Sequence, residues 1–318
     1  MKYFILFCAV LFMLGTGLFS CKKNSDKNVN SDKINVTTVI FAPYDFARQI
    51  AGDKANVSML LPPASESHSF EPSPKDIIKI QNSSVFIYVG GESDEWVSGI
   101  LESIDTSKMK IITLIDCVDK FEEEIVEGMQ EEEEKEEGGE EEAEYDEHVW
   151  TSPKNVKLIV QKIASALSEA DPANAAYYNQ NAEKYISELD LLDGEFQNVV
   201  NKAKRKTIVF ADRFPFRYFT EAYGLQYFAA FPGCSTETEA SAATIKFLID
   251  KIKAEKIPVV FHIELSNEKM ANAILEATGA KSMLLHSAHN ISKVDFEKGT
   301  TYLDLMKQNV LNLKEALE

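Results

Sequence analysis

From residue 34 onward the chain repeats one pattern: a short apolar run rich in β-branched residues, a turn, then apolar positions spaced by three and four. The runs at residues 36–41, 57–61, 85–89 and 110–114 predict strands, and residues 44–51, 74–81 and 94–104 predict helices between them. Ser73-Pro74 gives the second of these helices an N-cap and a first-turn proline. Strands alternating with helices need crossover connections, which predicts a mainly parallel sheet. Helical spacing continues through residues 155–204 and breaks at Asp171-Pro172. Residues 173–204 then predict one helix about 48 Å long at 1.5 Å per residue. A second alternating series follows, with strands at 207–211, 226–231, 259–263 and 283–285 and helices near 216–223, 240–254, 269–278 and 302–317. The predicted fold is α/β: two lobes, each a mainly parallel sheet with flanking helices, joined by one long helix. Open parallel sheets bind ligands beyond the carboxyl ends of their strands, so the cleft between the lobes is the expected site.

Charge changes this picture in one place. The 318-residue chain carries a formal charge of −18, yet residues 122–147 alone hold 16 acids and one base. Outside that segment acids and bases nearly balance. With 45% hydrophobic residues, a mostly disordered chain is excluded, and no basic stripe offers itself to nucleic acid. The segment reads as a solvated loop, with a weak cation-gathering function as the alternative. At the start of the chain, Lys2 precedes an apolar run to Phe19 that closes at Ser20-Cys21. That is a secretory signal over residues 1–20, and Cys21 resembles a bacterial lipobox cysteine that would anchor the mature protein to a membrane. Residues 21–33 are polar and aperiodic, a lipidated tether. The expected divisions are therefore an N-terminal lobe at 34–121 completed by 148–172, an acidic disordered loop at 122–147, a connecting helix at 173–204 and a C-terminal lobe at 205–318. After processing, Cys117 and Cys234 remain, expected as buried free thiols, with a bridge between them the lesser possibility.

The candidate chemistry lies in five histidines: His68, His148, His262, His286 and His289. His68 follows a strand and precedes a helix cap, His148 enters a helix at Ser152-Pro153, and His286 ends a predicted strand with His289 three residues on. His262 lies inside a strand, beside Glu264 at its end, and is expected to be a core residue. Imidazoles converging with a carboxylate at strand exits make a site suited to zinc and acceptable to manganese or iron.

The segments HSFEPSP, EYDEHVWTSP, YFTEAYGL and TYLDLMKQNVLNLKEAL, in that order, closely resemble the zinc/manganese solute-binding lipoproteins of bacterial ABC transporters. The resemblance covers essentially the whole mature chain. It implies two lobes, a rigid connecting helix, and one divalent ion (Zn2+, with Mn2+ or Fe2+ as alternatives) held by side chains of both lobes. It further implies delivery of that metal to an ABC importer permease rather than catalysis; the lipobox reading makes the protein extracytoplasmic and lipid-anchored, and with no oligomer signal in the sequence a monomer is expected. His68 and His148 match the two N-lobe ligands, and Glu71 matches an acid that would orient an imidazole. At the third ligand position the expected residue is Ala211, which cannot ligate. Asp212 beside it would face the other way by period-2 alternation. The fourth position falls on His286, with His289 or Glu264 completing the set. A zinc hydrolase is a competing reading, though no HExxH helix or nucleophile elbow occurs. A surface adhesin on the same fold is another.

Overall fold

The first apolar runs do form strands, and the residues between them wind into helices. The computed structural model describes residues 33–66, 70–129, 144–235 and 240–318, all within one unit, Lys33–Glu318. Its N-terminal lobe contains β1 (Ile34–Thr38), α1 (Phe41–Ala51), β2 (Ala55–Met59), α2 (Pro74–Gln81), β3 (Val85–Tyr88), α3 (Glu95–Ser103) and β4 (Lys110–Thr113). The strands pair in parallel in the order β2-β1-β3-β4, with Val36 of β1 opposite both Val57 and Val85. At the start of α2 the backbone N–H and hydroxyl of Ser73 donate to Asp76 (3.0 and 2.6 Å), the reciprocal half of a capping box.

Two long helices come next, α4 (Pro153–Ala170) and α5 (Ala175–Lys202). The expected helix of residues 173–204 is shorter by its first turn because Pro172–Asn174 forms a separate 3-10 turn. Asp171 at that junction accepts from the Tyr178 hydroxyl and the Asn174 amide (both 2.7 Å). The 28 residues of α5 still span about 42 Å. Its buried stripe (Tyr178, Ala182, Tyr185, Leu189, Leu192, Phe196 and beyond) recurs every three or four residues.

The C-terminal lobe comprises β5 (Thr207–Val209), β6 (Arg213–Phe214), α6 (Arg217–Tyr223), β7 (Gln226–Phe228), β8 (Phe231–Pro232), α7 (Ala242–Glu255), β9 (Val259–His262), α8 (Lys269–Thr278), β10 (Lys281–Leu284), α9 (Lys293–Lys298) and α10 (Tyr302–Leu317). Its strands pair in parallel as β5 with β7, β6 with β8 and β9 with β10, and a parallel bridge from Phe210 to Phe261 links the first and last pairs. The expected strand at 226–231 is divided into β7 and β8 around the buried Ala229 and Ala230.

Toward its start α5 meets the N-lobe, where Tyr185 lies 6.3 Å from Phe46 of α1. Toward its end it meets the C-lobe, where Phe196 packs edge-on to Phe219 of α6 at 4.9 Å. The larger hydrophobic core is consequently continuous from the N-lobe sheet through α4 and α5 to α10. A smaller one is enclosed by α7, α8 and the strands β5 and β9. Among the described residues no helix is long and apolar enough to cross a membrane.

The segment expected to be an acidic loop from residue 122 to 147 differs at its ends. Glu122 and Tyr145 form an antiparallel bridge, Glu123 N–H donates to Glu144 O (2.9 Å) and Asp146 N–H donates to Phe121 O (3.0 Å). Asp146 and Glu147 are almost wholly buried, and Met129 is buried as well. Side-chain charge misleads here because the paired backbone, and the packing of Phe121 on Tyr218 of α6 (5.2 Å), secure both stems. Residues 130–143 lie outside the described residues, as do residues 1–32 with Cys21.

Candidate metal site between the lobes

His148 is fixed by the few residues around it. Its own N–H donates to Asp146 Oδ1 (2.8 Å), and its ring Nδ1 lies 3.2 Å from the same oxygen. An Nδ1–H given to Asp146 leaves Nε2 as the lone-pair nitrogen, the arrangement that metal-binding imidazoles use. A 3-10 turn, Val149–Thr151, then carries the chain into α4, closed by Thr151 donating its hydroxyl to His148 O (2.8 Å). Burial pushes the imidazolium down, but Asp146, Glu147 and Glu123 together outweigh it, so the pKa of His148 is raised above 6.5. Gly233 presses its backbone against this ring: a Cβ there would meet the ring at 3.2 Å and Phe214 O at 2.9 Å.

The second wall comes from the loop after β10. The His289 ring stands edge-on to the His148 ring with centroids 5.5 Å apart, and Trp150 closes the triangle at 5.3 and 5.1 Å. Glu264, at the end of β9, shapes this loop. One of its oxygens accepts from Ser287 N–H (2.8 Å), and the other accepts from the Ser287 hydroxyl (2.6 Å) and His289 N–H (3.0 Å). His286 turns the other way. Its backbone is clasped by Asn309 of α10, which accepts from His286 N–H and donates to His286 O (both 2.8 Å). Its Nδ1 accepts the Ala288 N–H at 2.9 Å, so the 3.5 Å approach of Nδ1 to Glu264 is not a hydrogen bond.

Although it belongs to the C-lobe in sequence, the loop is fastened to N-lobe groups. Phe41 N–H donates to His289 O (3.1 Å), Ala64 N–H to Ile291 O (2.8 Å) and Trp150 Nε1–H to Ser287 O (2.8 Å). Asn290 donates its amide to Pro62 O (3.1 Å) and Ser65 O.

His148, His289, Glu264, Glu66 and Arg213 line one cavity of about 30 Å³. That volume is enough for an ion or a water. The structure thus brings together His148, His289 and Glu264 from among the expected residues. His286 is buried outside the cavity wall, His262 lies on β9 with its Nδ1 2.8 Å from Ser282 Oγ, and Glu71 is exposed. His68 lies outside the described residues. Among the described residues no three His, Cys, Asp or Glu side chains are grouped to hold a metal ion. Ala211 is buried against the smaller core, with its N–H donated to Phe261 O (2.9 Å). Arg213, two residues on, is among the residues that line the cavity. It passes unnoticed in the sequence because the strand carrying it is two residues long. Gly233 and Trp150 were equally silent. Asn309 did leave a signal, as a polar residue on the apolar face of α10.

Beside the cavity two carboxyl groups are buried together. Asp94 accepts from Val89 and Gly90 N–H (2.7 and 3.2 Å), and Glu147 accepts from the Ser93 hydroxyl. Burial raises Asp94 to about 6 and Glu147 to about 7. Cys117 and Cys234 are free, and burial pushes both thiols up, Cys117 to about 11.

Residues 36–316 match the family described as zinc-uptake complex component A, periplasmic, or ZnuA. The high-affinity zinc uptake system protein ZnuA of Bacillus subtilis is 32% identical over 99% of this chain and 96% of its own. The zinc-binding lipoprotein AdcA of Streptococcus pneumoniae is 31% identical over 92% of this chain, which spans only 58% of that longer relative. Among solved structures, the metal-dependent lipoprotein YcdH of Bacillus subtilis superposes with a TM-score of 0.76 at 30% identity, over 90% of this chain and all of its own. The Zn(II)-bound ZnuA-like domain of Streptococcus pneumoniae AdcA gives 0.74 at 30% identity, covering 90% and 99%. A laminin-binding protein of Streptococcus agalactiae, 24% identical, shares the fold (TM-score 0.73; 90% and 100% covered). The family and the B. subtilis relative are named as components of zinc-uptake systems, not as enzymes. With a match that runs from β1 to α10 and a histidine pair between two parallel-sheet lobes, the chain belongs to the ZnuA family of periplasmic zinc-uptake components.

Proposed function

We propose that this protein captures a single divalent metal ion, zinc in preference, between His148 and His289, and hands it to an ABC-type importer. The observation that carries the reading is the meeting of these two rings, one from each lobe by sequence, on the wall of an ion-sized cavity. Imidazole-rich, tetrahedral sites favour zinc over the oxygen-loving manganese. His68, two residues after the cavity-lining Glu66 in the sequence, is the third ligand on this reading. Glu264 orders the 286–289 loop through its hydrogen bonds, and His286 serves the same loop through Asn309. The B. subtilis and S. pneumoniae relatives, both named for zinc, support the choice of cargo. Lipidation at Cys21 would keep the protein beside its permease, and the lipoprotein name of AdcA supports this.

Competitive titration of the chelator-stripped protein tests the proposal. Wild type binds zinc one-to-one and tightly, and manganese more weakly. His148→Ala and His289→Ala each lose more than the roughly 10–100-fold that removing an outer partner costs. His286→Ala stays within that range. Wild type showing only several weak equivalents of zinc overturns the reading.

A further inference from the structure

The smaller core marks a layer of the C-lobe that has an interior of its own. Helices α7 and α8 cover it through Leu248, Ile252, Ala271 and Ile274, and these side chains form a cluster separate from the continuous core. The chain bends sharply on either side of β9: Lys256 precedes the strand at φ 53°, and Leu265 and Glu268 follow it at 62° and 54°. Side chains with a Cβ rarely hold that conformation, and it concentrates where structures clamp or switch. A layer with a small core and strained connections is the kind of unit that opens before the whole fold does.

Two sets of bonds from N-lobe segments reach this layer and its neighbours. The first comes from the two stems of the acidic segment. The Tyr218 hydroxyl on α6, 1% exposed, accepts Phe121 N–H (3.2 Å) and donates to Asp146 O (2.9 Å), so one buried group pins both stems. Glu124 accepts from the Tyr227 hydroxyl of β7 (3.2 Å) and lies 3.4 Å from Arg217 Nε. Glu123 accepts Cys234 N–H (3.1 Å) just beyond β8. Gly128, at φ 86°, lies so near the Phe247 ring of α7 that a Cβ there would overlap it. The second set starts from Glu264, at the end of β9, which accepts from Ser287 and His289. Their loop is fastened in turn to the N-lobe through Trp150 and Asn290.

We infer that the layer of β9, α7 and α8 is a flap, held shut by two latches in parallel: the stems pinned by Tyr218, and the chain of bonds from Glu264 to Asn290. Both latches restrain one moving body, so breaking either raises the rate at which the other lets go. Ile263, Glu264 and Leu265 of the cavity lining travel with the flap, whereas Ser65, Glu66 and His148 stay behind, so opening uncovers the cavity. The flap is a property of the fold and does not depend on the cargo.

The test is thiol labelling of the chelator-treated full chain with a maleimide, read peptide by peptide by mass spectrometry. Cys234 lies at the first latch, and Cys117, in the N-lobe turn after β4, is the reference. Tyr218→Phe leaves Phe121 N–H and Asp146 O without their partner and is expected to speed Cys234 labelling by about fivefold or more, with Cys117 unchanged. Glu124→Ala, at an exposed position, is expected to speed it by about threefold and serves if Tyr218→Phe does not fold. Asn290→Ala, in the second latch, is expected to speed Cys234 labelling by about threefold as well, which two unconnected local contacts would not do. Three results overturn the flap: Cys234 labelling within about twofold of wild type in the folded first-latch variants, a Cys234 rate unmoved by Asn290→Ala, or Cys117 accelerating in step with Cys234.

Discussion

Gly233 lies where the cleft has no room for a side chain. Its backbone faces the His148 ring on one side and Phe214 O on the other, and neither can yield: the ring is buried and bonded to Asp146, and the carbonyl belongs to β6. Gly233→Ala should therefore tilt His148 and weaken zinc by tenfold or more in a competitive titration, with a smaller loss of thermal stability. Two titrations belong to the same scale. Because acidic neighbours raise His148 above 6.5, protons compete with the metal sooner than for an ordinary imidazole. Affinity should begin to fall on the alkaline side of pH 6.5, checked by titrations between pH 5.5 and 8.5. The metal-free fold behaves in the opposite sense. Asp94 and Glu147 keep their protons to about 6 and about 7, whereas unfolded carboxyls lose them near 3.8 and 4.5. Their contribution is fully present below those unfolded values and is lost as pH rises through 6 to 7. Thermal midpoints of the metal-free protein should decline across that window, and Glu147→Gln should flatten the decline.

Elements show what was legible in the sequence and where legibility ended. Helices α2, α8 and α10 have the bounds that apolar spacing had predicted, and at α2 the Ser73-Pro74 signal adds a local start through the backbone. The loop after β10 could not be resolved in the same way. His286 matches the family's fourth ligand at the last strand-to-loop turn; two residues on, Ala288 at φ 60° turns the chain, and His289 lines the cavity. No periodicity describes a residue in that conformation. Arg213 was hidden for a related reason: beyond Ala211 the alternation that assigns faces applies only to a longer strand. The support for the loop is an element-level prediction. Asn309→Ala leaves His286 N–H and C=O without their partner in a buried setting, which should cost about 2 kcal/mol or more in denaturant unfolding. It should also weaken zinc, since His289 is three residues away.

At the scale of the molecule the two lobes are one folding unit. The main core runs without a break from the N-lobe sheet to α10, and α5 contributes to it along most of its length. Phe196, fully buried between α5 and α6, packs on both Phe219 and Tyr223. Phe196→Ala should cost about 3–5 kcal/mol. Circular dichroism and tryptophan fluorescence should still report a single coincident transition, because Trp150 shares that core with the C-lobe helices α6 and α10. Separate transitions for the two signals would contradict a continuous core.

The fastening of residues 286–291 to the N-lobe has a consequence for timing. The amide protons of Phe41 and Ala64 are N-lobe protons whose acceptors, His289 O and Ile291 O, belong to the loop after β10. They can exchange with deuterium only when the loop lets go, whatever the rest of the N-lobe is doing. These two protons are built-in clocks for detachment, and comparing their exchange with that of the β1–β3 amides would separate the lifetime of the binding site from the lifetime of the fold.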